Sequence, residues 1–151
     1  MKKIIVNAFL LLAVTTQAQM KADDVKSFTL KNGMKFLVVE DNSIPNANMY
    51  LFYKVGSRNE YQGITGLSHF FEHMMFRGTD KYSKSEYSEI LKSTGASANA
   101  NTSQDRTVYH MTGDVAKLET MFEIEADRFM NLKYSEHDFK TEAGAVKGEY
   151  T

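Results

Sequence analysis

Short apolar runs of residues that favour β-strands, separated by polar residues and glycines typical of turns, recur along the chain. Five segments are predicted to be strands on this basis: residues 25–30, 35–40, 48–55, 96–102 and 106–112. The pair Asn32-Gly33 lies between the first two segments, which predicts a tight hairpin turn. The segment 48–55 is apolar enough to be a central strand.

Helical spacing of apolar residues, together with capping residues, predicts four helices. They begin near Thr65 or Gly66, at Ser83, after Gly113-Asp114 and at Ser135. We expect the first to end near Arg77 before Gly78, the second to end at Gly95, and the last to continue to the end of the chain. The long third helix is expected to be amphipathic, with an apolar face made of Val115, Leu118, Met121, Phe122, Ile124 and Phe129.

This order of elements is three strands, two helices, two strands and two helices. It predicts an α+β fold with a mixed, largely antiparallel sheet and helices packed on one face. The sequence has no repeats or linkers, so residues 19–151 are predicted to form one domain. The chain stops at Thr151, directly after a helix-like segment without a cap, and we therefore expect this domain to be incomplete.

The first 18 residues have the layout of a secretory signal peptide. A basic start at residues 1–3 precedes an apolar stretch at residues 4–14, and small residues surround a cleavage point after Ala18. The alternative is a membrane anchor, but about eleven apolar residues are too few to span about 30 Å of hydrocarbon. We therefore expect a protein that is exported to a bacterial periplasm or secreted, with no stable membrane span.

Composition narrows the classes of partner and of chemistry. The formal net charge is −1, and it becomes −3 without residues 1–18. This near balance and the lack of a basic run argue against nucleic acid as a partner. The chain has no cysteine, so the fold cannot depend on disulfides, and no thiolate is available as a metal ligand or a nucleophile.

The segment His69-Phe70-Phe71-Glu72-His73 carries the clearest chemical signal. On a helix, His69 and His73 are four residues apart, so both imidazoles project from one face about one turn apart. Two neutral imidazole nitrogens arranged in this way can hold one Zn²⁺ at about 2.0–2.1 Å. From its position Glu72 can reach a water on the metal without being a ligand. The alternative is a surface helix that carries these residues by chance.

A catalytic zinc site needs a third protein ligand and an open fourth position. His110 and His137 are candidates by residue type, and Glu142 and Glu149 are candidates by arrangement. The two glutamates lie seven residues apart, nearly two helical turns, so they point the same way; otherwise they belong to a solvated charged face. Gly144 and Gly148 lie between them, and each costs about 1 kcal/mol in a helix relative to alanine. This cost would have a reason if another helix must approach closely here.

These motifs resemble those of the inverted-zincin peptidases of family M16, a group that includes pitrilysin, insulin-degrading enzyme and the mitochondrial processing peptidase. The motif His69-x-x-Glu72-His73 is followed about 75 residues later by Glu149, which Glu142 precedes in an E-x6-E pattern. Further segments that resemble the family occur in the right order: residues 30–34, 56–60, 66–69, 76–79 and 99–102, followed by Asp105, Thr107 and Tyr109. The resemblance covers about residues 26–150.

The resemblance implies a role for each matching residue. His69, His73 and Glu149 are implied as ligands of one zinc ion per domain, and Glu72 as the general base that acts on a zinc-bound water. Glu142 is implied as the carboxylate that orients a histidine ligand by binding the ring nitrogen that does not bind the metal.

The resemblance also implies a substrate. Asn99 and Ala100 fall on the strand where, in similar enzymes, an extended peptide adds itself to the edge of the sheet. This implies a zinc metalloendopeptidase that hydrolyses extended or unfolded polypeptides, with a second homologous M16 domain in the same chain or in a partner. The alternatives are a non-catalytic binding or scaffold module of the same fold, and an inactive fragment that lacks the second domain.

Overall fold

A computed structural model describes residues 24–150. The predicted signal peptide at residues 1–18, with its cleavage point after Ala18, lies outside these residues. The described residues form two compact units, which divide between residues 43 and 44. Between residues 24 and 150, no helix has both the length and the apolar character needed to cross a membrane.

The described part of the first unit is an antiparallel hairpin. Strand β1 (Val25–Thr29) pairs with strand β2 (Lys35–Val39), and Val25 lies opposite Val39. Gly33 in the connecting turn has φ 87°, in the left-handed region that glycine adopts without steric cost. The predicted hairpin is therefore confirmed.

The second unit contains a three-stranded antiparallel sheet. Its strands are β3 (Asn46–Tyr53), β4 (Ser97–Thr102) and β5 (Thr107–Asp114), in the spatial order β3-β5-β4. Strand β5 is central and β4 lies at one edge of this sheet. The central strand is therefore β5 rather than the segment 48–55, because β5 is the strand that both others pair with.

Four α-helices accompany this sheet in the described residues: α1 (Leu67–Met74), α2 (Lys84–Thr94), α3 (Leu118–Asn131) and α4 (Glu136–Glu149). The predicted α+β class is confirmed, but two boundaries differ. Helix α1 ends at Met74 rather than near Arg77. Residues Val115–Lys117 form a 3-10 turn before α3, and Asp114 caps that turn by accepting a hydrogen bond from the backbone N–H of Ala116.

The helices cover one face of the three-stranded sheet. Met49 and Ala98 lie opposite Met111 on this face, and the core around Met111 includes Met121 and Ile124 of α3. On the other face, the side chain of Tyr50 stacks on His110 at 5.7 Å, and Tyr50 is 57% exposed. The arrangement with helices on one face is thus as predicted.

A buried charged pair lies in the core between α3 and the sheet. Arg128 is 2% exposed and donates a hydrogen bond to Glu125, one turn earlier, at 2.5 Å. The guanidinium carbon lies 4.6 Å from the ring centroid of Phe76 and 4.8 Å from that of Tyr109. Aromatic faces stabilise a desolvated cation, so this cage offsets part of the cost of burying Arg128.

Candidate metal centre

Helix α1 is anchored by a carboxylate that precedes it. Glu60 accepts hydrogen bonds from the backbone N–H groups of Gly66 and Ser68, both at 2.7 Å. These groups at the start of a helix have no partner within the helix, and the helix dipole favours a negative charge there. The same two hydrogen bonds lower the pKa of Glu60, and the bond from Ser68 makes the larger contribution.

Packing between α1 and α4 sets the position of the site. Phe70 and Met74 of α1 form a buried cluster with Val146 of α4, and Met74 is fully buried. The ring of Phe70 also meets Phe139 of α4 edge-on, with centroids 4.8 Å apart. The faces of α1 and α4 that carry His73 and Glu142 therefore face each other.

Three potential ligand atoms converge where these faces meet. Nε2 of His69 lies 3.0 Å from Nε2 of His73. Oε2 of Glu149 lies 3.4 Å from the first nitrogen and 3.8 Å from the second. Among residues 24–150, this is the one group of three or more His, Asp and Glu side chains whose geometry could hold a metal ion.

The separations of these atoms fit a zinc ion. Bonds of about 2.0–2.1 Å in a tetrahedron place the ligand atoms about 3.3–3.4 Å apart. The observed separations, from 3.0 to 3.8 Å, lie on both sides of this value. Two nitrogens and one carboxylate oxygen are also a donor set that zinc accepts, and three protein ligands leave a fourth position open.

Glu142 holds the second histidine from the opposite side of its ring. Nδ1 of His73 lies 2.8 Å from Oε1 of Glu142, which can only accept, so the proton is assigned to Nδ1. The lone pair on Nε2 is then free to bind a metal. The other oxygen of Glu142 forms an ion pair with the guanidinium of Arg77. The side chains of Glu142 and Arg77 are only 9% and 16% exposed, so the pair is largely shielded from water.

His69 has a weaker partner at its distal nitrogen. The hydroxyl of Tyr150 lies 3.5 Å from Nδ1 of His69, at the long limit for a hydrogen bond. The Tyr150 ring also stands edge-on to the His69 ring, with centroids 6.1 Å apart. The two histidines therefore differ in how firmly the structure orients them.

Glu72 is buried, and its side chain contacts the end of a strand of the sheet. It is 8% exposed, and its Oε2 accepts a hydrogen bond of 2.5 Å from the hydroxyl of Thr102 at the end of β4. A buried carboxylate loses much of its hydration, so such a partner offsets a substantial cost. The sheet thus contributes directly to the site through Thr102.

The structure separates the four candidates for a third ligand. Glu149 joins His69 and His73, and Glu142 binds the distal side of His73. His110 lies on the sheet face opposite the helices, stacked on Tyr50, and His137 is exposed in the first turn of α4. Neither histidine is part of the group that could hold a metal.

The expected role of the two helix glycines is wrong. Gly144 and Gly148 were predicted to allow the close approach of another helix. A Cβ atom built at either position would meet no heavy atom of the described residues within 4 Å. The close contact between α1 and α4 instead involves the face with Val146 and Glu142.

The strand predicted to bind substrate lies at an edge. Asn99 and Ala100 are on β4, which pairs with β5 on one side only in this sheet. The backbone N–H of Ala100 donates to the side-chain oxygen of Asn99 at 2.9 Å. An edge strand has backbone groups available for another chain.

A cleft of about 440 Å³ opens beside the ligand atoms. The residues that line it include His69, Glu149, Tyr150, Thr102 and Gln104. Gly56 allows the loop before α1 to pass close to the β4–β5 turn, since a Cβ there would lie 2.2 Å from the carbonyl oxygen of Ser103.

Three contacts of the site were not foreseen from the sequence. Glu60 and Thr102 lie in motifs that resemble the family but had no assigned role. Arg77 follows His73 by four residues. On the helix predicted to end near Arg77, this spacing would place the cation next to any carboxylate that binds His73.

Comparisons with known proteins show the family to which the chain is similar. A family model described as Insulinase (Peptidase family M16) matches residues 35–151. The zinc protease PqqE of Helicobacter pylori is 35% identical over 143 residues, which cover 91% of this chain and 32% of that protein. The insulin-degrading enzyme of Bos taurus is 35% identical over 128 residues, which cover 84% of this chain and 13% of that enzyme.

A solved structure gives the same result for the fold. The crystal structure of the periplasmic protease PqqL from Escherichia coli matches with a TM-score of 0.79 and 25% identity, over 89% of this chain and 16% of that chain. The chain therefore spans less than a third of the length of each of these relatives.

Proposed function

The chain belongs to peptidase family M16, and from this premise we propose that it forms the zinc-binding part of a metalloendopeptidase that hydrolyses extended or unfolded polypeptides. The convergence of His69, His73 and Glu149 beside the buried Glu72 carries this proposal. His69, His73 and Glu149 would hold one zinc ion, and Glu142 would keep His73 in the tautomer that binds it.

Charge at the site supports a divalent cation. Glu72, Glu142 and Glu149 bring three negative charges together, and Arg77 contributes one positive charge through its pair with Glu142. Zinc would bring the formal charge of this group to zero. When bound, zinc supplies Lewis acidity, which lowers the pKa of a coordinated water from 15.7 towards about 7.

Glu72 would move the proton in the reaction. As a carboxylate it accepts a proton from the attacking water, and as a carboxylic acid it returns that proton to the leaving amine. Its burial keeps bulk water from competing for this proton, and Thr102 fixes one of its two oxygens. The second oxygen is then available for the proton.

The edge of β4 would bind the substrate backbone. A peptide that adds to this edge would bond to backbone groups near Asn99 and Ala100, and its recognition would depend little on sequence. The N–H of Ala100, which the Asn99 side chain engages, would be released to the peptide.

A second homologous domain would complete the active site. The chain covers 32% of the Helicobacter protein and 13% of the bovine enzyme, so most of each relative lies outside the matched region. We propose that such a domain, in the same chain or in a partner, grips the substrate. Export to the periplasm or secretion follows from the predicted signal peptide and agrees with the periplasmic PqqL relative.

Substitutions at the site test the proposal in the full-length protein. Glu72→Gln should keep zinc but lower peptide hydrolysis by about 10²–10⁴-fold, the usual contribution of a general base. His69→Ala and Glu149→Ala should lose both zinc and activity. His110→Ala is the matched control, because His110 lies on the opposite face of the sheet and should retain both.

Zinc content by atomic absorption and hydrolysis of an unfolded peptide are the two measurements. Full activity of Glu72→Gln would show that Glu72 is not the base. Undiminished zinc binding by His69→Ala or Glu149→Ala would show that the ligand set is wrong.

A further inference from the structure

The side chain that holds Glu72 comes from the strand at the edge of the sheet. Thr102 is the last residue of β4, and its Oγ1 lies 2.5 Å from Oε2 of Glu72. This separation is typical of a hydrogen bond from a hydroxyl to an ionised carboxylate, about 2.5–2.7 Å. Such bonds are about twice as strong as those between neutral groups.

A second hydroxyl fixes the direction of this bond. Thr107 lies opposite Thr102 in the strand register, with their Oγ1 atoms 3.2 Å apart. Thr107 donates to the backbone carbonyl of Val55 at 3.0 Å. Each hydroxyl has one proton, and a carbonyl or an ionised carboxylate can only accept. The proton of Thr107 therefore goes to Val55, and that of Thr102 goes to Glu72.

The position of Thr102 is rigid for two reasons. Threonine is branched at Cβ, which restricts its χ1 angle. Its backbone also lies in a strand that is paired with the central strand β5. A carboxylate held by such a residue cannot rotate freely about its own side-chain bonds.

Resting on the proposed role of Glu72 as general base, we propose that Thr102 is a positioning residue. Its hydroxyl holds Oε2 of Glu72 in one orientation and leaves Oε1 to exchange the proton. Catalysis depends steeply on such placement, because an error of about 1 Å costs about 10²-fold in rate.

Thr102 also links the base to the substrate. Ala100, at the edge proposed to bind the peptide backbone, lies two residues earlier on the same strand. The segment that would align the peptide therefore also aligns the base. The distance between the scissile bond and Glu72 would then depend on β4 and on the hydrogen bond from Thr102 to Glu72.

The test compares two variants of Thr102 in the zinc-loaded, full-length protein. Thr102→Val keeps the shape but removes the hydroxyl, and it should lower kcat about 10–100-fold with KM changed less than about 3-fold. Thr102→Ser restores the hydroxyl and should bring kcat to within about 3-fold of the wild type. Zinc content should be unchanged in both.

Thr112→Val is the matched control for this substitution. Thr112 is on β5, but its hydroxyl donates to the side chain of Asn48 at 2.7 Å, away from Glu72. Its kcat should equal that of the wild type. A similar loss of kcat in Thr112→Val and Thr102→Val would show a general effect on the sheet and overturn the inference.

Three other results would also overturn it: a nearly normal kcat in Thr102→Val, no rescue by Thr102→Ser, or loss of zinc from Thr102→Val. Glu72→Gln, measured in parallel, distinguishes a failure of the proposed role of Glu72 from a failure of the proposed role of Thr102. An active Glu72→Gln protein refutes the proposed function itself. An inactive Glu72→Gln protein beside a fully active Thr102→Val protein refutes only the role of Thr102.

A measurement that needs neither zinc nor activity gives an independent check. In zinc-free protein, Thr102→Val should lower the urea midpoint of unfolding more in the wild type than in Glu72→Ala. In Glu72→Ala the Thr102 hydroxyl has already lost its acceptor, so its removal costs less. Additive shifts of the two substitutions would contradict a direct interaction between Thr102 and Glu72.

Discussion

Removing the carboxylate of Glu142 should weaken the site in two ways that can be measured separately. In Glu142→Ala, Nδ1 of His73 loses its acceptor at 2.8 Å, and Arg77 loses its ion-pair partner. The first loss affects zinc binding, because the acceptor fixes the tautomer and orientation of a ligand histidine. The second loss affects stability, because it leaves a largely buried cation unpaired.

The expected magnitudes follow from the burial of each group. Loss of a carboxylate that orients a ligand histidine costs about 10–100-fold in metal affinity, which is about 1.4–2.8 kcal/mol. Breaking a fully buried ion pair costs about 3–5 kcal/mol. Because the Arg77 side chain keeps 16% of its surface exposed, water solvates it in part, and we expect about 2–3 kcal/mol here.

Two assays and a double variant separate the effects. Competition with a chromophoric chelator measures zinc affinity, and urea unfolding of the zinc-free protein measures stability. Arg77→Met combined with Glu142→Ala removes the stranded cation, so most of the stability should return while zinc affinity stays low. Glu136→Ala, at an exposed glutamate of the same helix, is the control and should change neither quantity.

Either of two results would contradict the role expected for Glu142. One is an unchanged zinc affinity in Glu142→Ala, which would show that His73 does not depend on its carboxylate. The other is the return of zinc affinity in the double variant, which would show that the stranded Arg77, rather than the lost acceptor, had weakened the metal site.

Two further predictions concern stability. Gly144→Ala should raise the free energy of unfolding by about 0.5–1 kcal/mol, since Gly144 lies inside α4 and a Cβ there meets no described atom within 4 Å. A lower stability of this variant in urea unfolding would contradict the prediction and show a contact at this position. Because the folded-state pKa of Glu60 is lowered from 4.5, its stabilisation is present above that value and is lost as pH falls through the lowered pKa. The stability difference between wild-type and Glu60→Gln zinc-free protein should therefore shrink on acidification, and a difference that does not change with pH would contradict this.

Local signals in the sequence predicted the elements well. The capping boxes that begin with Ser83 and Ser135 both form, and Gly95 ends α2 with φ 65°. These features depend on residues a few positions apart, so they can be recognised without the tertiary structure. The helical spacing of His69 and His73 also brought their Nε2 atoms together as predicted.

Contacts between distant elements could not be predicted in this way. The apolar pattern of α3 suggested Val115 and Phe122 as core residues, but both are more than 40% exposed. Arg128 and Glu125 of the same region are buried instead, because the ring cage around Arg128 comes partly from elements far away in sequence. A pattern of hydrophobic residues does not reveal a buried charge that is compensated over such distances.

The candidate site shows the same limit. A spacing of seven residues placed Glu142 and Glu149 on one side of a helix, but it did not say which would lie near the Nε2 atoms of His69 and His73. The packing of α4 on α1 decides this, since Glu142 meets Nδ1 of His73 and Glu149 meets the two Nε2 atoms. The resemblance to family M16 supplied that assignment before the geometry did.

The geometry of the site links metal binding to the docking of α4. His69 and His73 belong to α1, whereas Glu149 belongs to α4, so an ion bound to all three would connect the two helices. The buried apolar residues of the contact between them are Phe70, Met74 and Val146. Without a cation, the three carboxylates near the site outnumber the single guanidinium of Arg77, and their repulsion opposes this docking. Zinc would remove the repulsion and add bonds across the interface, so binding free energy would appear as stability of the α1–α4 contact.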